Sequence, residues 1–263
     1  FGLARSQQLA RGVLLGARRF LGGGGFVEQR TYELTPAGQE LYLASTAQSS
    51  GLRRELAPLE GFFTTEAGGS LTEVHHFYAY ASLAERDAVR ARMKSDPDWR
   101  AYLASVRPHV QRQTNRYLVE AIGVYKELAL PGLASAAAAT DASSSSSLGV
   151  VEVREYQLRL GYDAVPTFYD VFSRGLPSKL EAERRAGVVG LDQASLVMLA
   201  HSDTGVINQV VEVWRYASAE ASIEARLAAR GAPEWRKAVA ELATLATSFK
   251  TTHLRPLPFS PLR

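Results

Sequence analysis

The chain of 263 residues has no cysteine, which removes disulfides, thiol nucleophiles and thiolate metal sites at one stroke. It also lacks any run of about 18 consecutive apolar residues, so no membrane-spanning helix is expected. The nearest approach, Leu128 to Ala139, is interrupted by Pro131 and Gly132. Acids are missing from the start, where the first is Glu28. Residues 1–25 carry Arg5, Arg11, Arg18 and Arg19, four positive charges in a chain whose net charge is +3. The rest is therefore nearly neutral, and its arginines alternate with acids. A nucleic-acid surface needs Lys and Arg gathered on one face, so no nucleic-acid partner is expected.

Catalytic signatures are absent too. There is no G-x-S-x-G, and the Gly22–Gly25 run neither follows a strand nor ends in the Lys-Ser/Thr pair of a phosphate loop. His75 and His76 are adjacent on an expected strand, so they point to opposite faces and do not share a metal. One should pack and the other should lie at a surface or interface. His109, His201 and His253 fall in separate elements without ligand spacing. No catalytic residue, metal or cofactor is expected, and the chain reads as a non-enzyme.

What is present is a globular composition, 46% hydrophobic and 22% charged, which excludes wholesale disorder. In the first 25 residues Leu9, Val13, Leu14, Ala17 and Leu21 make one helical stripe, with Arg11 and Arg18 off it. An acid-free, Arg-bearing amphipathic start has the composition of an organelle transit segment. Phe1 at the start suits a processed chain or a fragment. The plainer alternative is a flexible basic tail. On a glycine hinge such a helix is a docking element for a partner groove or a membrane surface.

The body repeats itself. Glu28-x-Arg30-x-Tyr32-x-Leu34 recurs as Glu152-x-Arg154-x-Tyr156-x-Leu158, Tyr80-Ala81-Ser82 as Tyr216-Ala217-Ser218, and Pro97-x-Trp99 as Pro233-x-Trp235. The offset grows between the first match and the other two, which places an insertion in the second copy after its first strand. Between the copies lie an Ala run and Ser143–Ser147, a linker composition. The expected organisation is an arm over 1–25, a first domain over 26–128, a linker over 129–149 and a second domain over 150–263 with a Pro-rich tail. Each copy reads strand, helix, strand, strand, helix, strand, with long helices over 37–57 and 163–186. Pro177 should begin a new turn rather than sit inside a helix. That order is the split βαβ, ferredoxin-like arrangement, an α+β fold. In the third strands, Val210, Glu212, Trp214 and Tyr216 oppose Val211, Val213 and Arg215, and Val74, His76, Tyr78 and Tyr80 oppose His75, Phe77 and Ala79. Both faces are largely apolar, so both should be buried. The two sheets are expected to pack face to face as an intramolecular pseudo-dimer.

The run Asn208-Gln209-Val210-Val211-Glu212-Val213-Trp214-Arg215-Tyr216, Pro233-Glu234-Trp235 and the ending Phe259-Ser260-Pro261-Leu262 resemble the NIPSNAP family, as does the opening Arg154-Glu155-Tyr156-Gln157-Leu158-Arg159. The first copy departs from that pattern, with no Trp-Arg pair in Glu73–Tyr80. The resemblance implies a tandem dimeric α/β-barrel, mitochondrial location in the matrix or at the inner membrane, and roles in protein interaction rather than catalysis. The repeat, the absence of a catalytic constellation, the hinged arm and the tail prolines Pro256, Pro258 and Pro261 point to an accessory subunit of a larger mitochondrial complex or to self-association. Arm and tail are extended segments of the kind that wrap partners. Peripheral membrane contact through residues 1–25 is a further expectation. Related barrels include monooxygenases and haem proteins, so a small-molecule or haem binder is the alternative.

Seven residues stand out as a candidate cleft or interface: Arg30, Tyr32, His76, Arg154, Tyr156, Trp214 and Arg215. Arginines that recur on first strands can fork onto a carboxylate. The plainer account is that they pair with neighbouring strand acids while the tyrosines pack. Trp99 and Trp235 read as core plugs at helix starts.

Overall fold

The computed structural model describes residues 25–141, 148–188 and 194–263. The expected arm, apart from Gly25, lies outside the described residues. The first half consists of β1 (Phe26–Leu34), α1 (Gln39–Gln48), α2 (Ser50–Leu56), β2 (Leu59–Ala67), β3 (Glu73–Tyr80), α3 (Leu83–Ser95), α4 (Pro97–Val106) and β4 (Val110–Glu120). Two short helices follow, α5 (Ile122–Leu128) and α6 (Leu133–Asp141). The second half consists of β5 (Val150–Leu158), α7 (Ala164–Arg185), β6 (Ala194–Ser202), β7 (Gln209–Tyr216), α8 (Ala219–Arg230), α9 (Pro233–Leu245) and β8 (Ala246–Pro256). Among these described residues no helix is long and apolar enough to cross a membrane.

The helix starts follow from local chemistry. Ser82 and Ser218 cap α3 and α8 by accepting from the backbone N–H three residues on. Pro97 and Pro233 open α4 and α9, where a missing N–H costs nothing.

The strands form one closed barrel in the order β1-β3-β2-β8-β5-β7-β6-β4. The two sheets face each other as expected. They also join edge to edge, through antiparallel pairs β2·β8 and β4·β6. Closure removes free sheet edges. Alternation then sorts the side chains. Val27, Phe63, Phe77, Val151 and Val213 fill the barrel. Tyr78, Tyr80, Trp214 and Tyr216 point outward into two further cores beneath the helices of their own halves.

Four expectations change. Pro177 lies inside α7 rather than opening a new turn. An interior proline costs about 3 kcal/mol, and the buried stripe Phe168, Phe172 and Leu176 offsets it by packing on α9 and the sheet. The helix expected over 37–57 is broken at Ser49 into α1 and α2. The stretch expected as linker contains α6, whose Leu133, Ala136 and Ala137 plug one end of the barrel. The Pro-rich tail folds over that same end: Ser260 Oγ accepts from the Phe62 N–H at 2.9 Å, Thr140 Oγ1 donates to the Pro261 carbonyl at 2.7 Å, and Leu262 is buried. The tail is thus part of the fold, not an extended segment available to wrap a partner.

Candidate functional site

Each half places the same skeleton beneath its helices. Strand register puts Glu28 opposite Tyr78 and Arg30 opposite His76; in the second half Glu152 faces Trp214 and Arg154 faces Glu212. Arg30 Nη2 donates to Glu28 at 2.7 Å, and Arg154 Nε donates to Glu152 at 2.7 Å. Both arginines do pair with strand carboxylates. A second cation reaches in from the first helical segment of each half: Arg53 lies 4.9 Å from the Trp99 ring centroid, and Lys179 lies 3.5 Å from that of Trp214.

The first half is closed. Glu28 also accepts from Arg86 Nη2 at 2.7 Å and Asn115 Nδ2 at 2.8 Å. Burial pulls this carboxyl upward, but the bonds from Arg86 and Arg30 outweigh it and hold Glu28 at about 2. Arg53 donates to the Tyr78 and Tyr102 hydroxyls at 2.7 and 2.6 Å. His76 is fully buried, stacked on Phe62 at 4.1 Å and tilted against Tyr32 at 4.7 Å. Neither of its ring nitrogens has a hydrogen-bond partner among the described residues, and burial drives its pKa well down.

The second half is open, and sequence differences at matched positions say why. The counterparts of Arg86, Asn115 and Tyr102 are Ser222, Thr251 and Ala238. The Ser222 hydroxyl donates to its own helix at Ala219 O. Ala238 packs where α9 meets Gly175 of α7. Glu152 is as buried as Glu28, but small side chains stand in place of Arg86, Asn115 and Tyr102, and among the described residues only the more distant His253 and Arg226 approach it besides Arg154. The result is a cleft of about 750 Å³ between β5, β8 and helices α8 and α9. Its walls are mainly apolar, from Tyr156, Trp235, Val239, Leu242, Ala243 and Phe249. Glu152, Arg154 and Lys179 lie at its base, and Arg226, Arg230 and Arg236 ring it.

The electrostatics follow from that plan. Burial raises Glu152, yet His253 and Arg154 bring it to about 2. His253 Nε2 is 3.6 Å from Glu152, and Arg226 is 3.9 Å from it. Lys179 is paired with Glu183, one turn further along α7. Burial, opposed by Glu183, lowers Lys179 to about 8. Burial likewise raises Glu183 and Glu212. Trp214 Nε1 donates to Glu212 at 2.7 Å.

The seven candidate residues divide accordingly. Arg30, Tyr32 and His76 gather in the closed half. Arg154 and Tyr156 line the cleft, and Trp214 backs Lys179. His76 and Trp214 belong to different halves and form no joint constellation. Arg215 is on the opposite strand face, donating from Nε to Arg263 O at 2.6 Å at the plugged barrel end. His75 is not at a surface: it is buried in the barrel, bonded to Thr31 and Thr65 hydroxyls at 3.2 and 3.0 Å. Trp99 and Trp235 are buried just after their helix-opening prolines. Lys179, Glu183 and the arginine rim were not picked out from sequence. Lys179 and Glu183 do prolong the apolar stripe Val165, Phe168, Phe172 and Leu176 at helical spacing, which is the available signal.

No group of three or more potential metal ligands occurs among the described residues. A proximal histidine is one common ligand of haem iron; the cleft wall carries none, and His76 is enclosed in the other half.

A NIPSNAP family model matches residues 27–122 and 151–261. The chain is 27% identical to mouse (Mus musculus) Protein NipSnap homolog 3B over 243 residues, covering 91% of this chain and 87% of that protein. It is 26% identical to human (Homo sapiens) Protein NipSnap homolog 3A over 259 residues, covering 97% and 92%. Among solved structures, a proposed monooxygenase of Lactobacillus acidophilus NCFM superposes with TM-score 0.56 at 11% identity, covering 89% of this chain and 94% of that one. A chlorite dismutase variant of Candidatus Nitrospira defluvii does so with TM-score 0.53 at 12% identity, covering 93% and 96%. At such identities the likeness is one of fold.

Proposed function

The chain belongs to the NIPSNAP family, and from that premise we propose that it is a binding protein whose second half holds an amphipathic organic anion, the barrel acting as scaffold. The observation that carries this reading is the cleft itself: apolar walls beside three rim arginines, in the half where the covering residues are small. Arg230 and Arg236 make no ion pair among the described residues. An apolar concavity with a few convergent charges is the ordinary form of a small-molecule site. A carboxylate or phosphate head would sit at the rim and an apolar chain along Val239, Ala243 and Phe249. The test is titration with decanoate, following tryptophan fluorescence. Saturable quenching, weakened about tenfold or more in an Arg226→Ala/Arg230→Ala double variant, is expected from the loss of two charge-assisted contacts. No saturable change in the parent chain would discard the reading.

A second reading concerns place and partners: a mitochondrial interaction protein, docked in a larger assembly or on the inner membrane by its arm. The four arginines and absent acids of residues 1–25 support it. Residues 1–25 fused to a fluorescent reporter should direct it to mitochondria; a diffuse reporter would count against this reading.

A further inference from the structure

The two halves make an internal comparison at one buried cation. In the first half it is Arg53, a guanidinium that does not lose its proton in proteins, fixed by the Tyr78 and Tyr102 hydroxyls. In the second half it is Lys179, an amine that can lose its proton. The hydroxyl acceptors are gone: Trp214 stands at the position of Tyr78, and Ala238 at that of Tyr102. Lys179 is left with its ion-pair partner Glu183 and the Trp214 face, with Glu212 and Arg154 acting on it more weakly, at the base of an apolar cleft. Lysine is scarce here. The 30 basic residues include five lysines, and Lys94, Lys126, Lys237 and Lys250 are all exposed.

We propose that Lys179 forms a reversible imine with an aldehyde or ketone group on the amphipathic anion, so that the cleft captures oxo acids covalently. The proposal rests on the ligand-binding reading of the cleft. Unprotonated Nζ attacks the carbonyl carbon; a C–N bond forms, and the carbonyl π pair moves to oxygen, which takes a proton. Glu183 relays both N–H protons in turn: the first goes from the cationic nitrogen to that alkoxide oxygen, giving the neutral carbinolamine, and the second goes to the carbinolamine hydroxyl as it departs. That C–O bond breaks, water leaves, and the C=N bond remains. No oxidant or reductant enters the step. A lysine buried in an apolar site, with a carboxylate to carry its protons, is the environment in which amines become carbonyl nucleophiles. Its pKa of about 8 keeps a useful fraction unprotonated near neutrality.

The experiment incubates the full chain with an ω-oxo fatty acid, reduces with cyanoborohydride and maps the adducts by peptide mass spectrometry. Lys179 should be labelled about tenfold or more faster than the exposed lysines, because burial lowers its pKa. Decanoate should compete. Lys179→Arg, which restores the residue type of the first half, should abolish that adduct and leave the slow labelling of the exposed lysines unchanged. Adducts confined to exposed lysines, with decanoate binding intact, would overturn the imine and leave the cleft reading standing. Absence of both adduct and decanoate binding would overturn the two together. If Lys179→Arg does not fold, the peptide map of the parent chain decides alone.

Discussion

His75 and His201 carry much of the cost of this interior at low pH. Burial lowers both to about 4, whereas an unfolded histidine titrates near 6.5. As pH falls from about 6.5 to 4 the unfolded chain takes up protons that the fold refuses, so stability drops. Glu28 and Glu152 act in the same direction further down. Held at about 2, they contribute their full stability above roughly pH 4.3 and lose it as pH falls towards 2. A shift of two or more units is worth roughly 3 kcal/mol per group, so the urea midpoint should fall steadily from pH 7 to 4 and collapse below. A midpoint unchanged between pH 7 and 4 would show that these histidines are not buried neutral. At this scale the pairing of Arg30 and Arg154 with strand carboxylates was legible, because residues two apart on a strand share a face. The burial of His76 among aromatic rings, without a hydrogen bond among the described residues, was not, because partners are a property of packing.

At the scale of elements, α7 and α9 meet unusually closely. A Cβ on Gly175 would stand 2.4 Å from Ala238 Cβ and 3.2 Å from Trp235 Cε3. Gly175→Ala would gain about 1 kcal/mol of helix propensity, but overpacking a close contact costs about 1–3 kcal/mol. The variant should therefore melt lower. It should also bind decanoate more weakly, since Trp235 forms a cleft wall. A higher melting temperature would mean the helices part without penalty. The strands and most helices of both halves were readable from period and repeat. Pro177 was misleading because local propensity yields where a long buried stripe crosses it. Helix α6 and the folded tail were hidden in alanine, serine and proline, residues whose local preferences say little about burial at a barrel end.

Across the whole molecule, duplication sets the plan and divergence sets the chemistry. The matched positions Arg86 and Ser222, Asn115 and Thr251, Tyr102 and Ala238 leave one half locked and the other open. Each difference is visible as a letter in the chain. Its meaning is not, because the residues that cover Glu28 come from β1, α3 and β4, far apart in sequence. The same holds for Lys179, whose counterpart Arg53 lies in a differently broken helix and follows no constant offset. By itself the sequence determined the repeat, the alternating strands, the order of elements and the family, since these depend on local period and on recurrence. Only the tertiary structure decided that the sheets close edge to edge, that one end of the barrel is plugged, and that a buried lysine lines an apolar cleft in the second half. Those outcomes depend on which distant side chains share a desolvated space, and burial with its electrostatic consequences exists only once the chain has closed on itself.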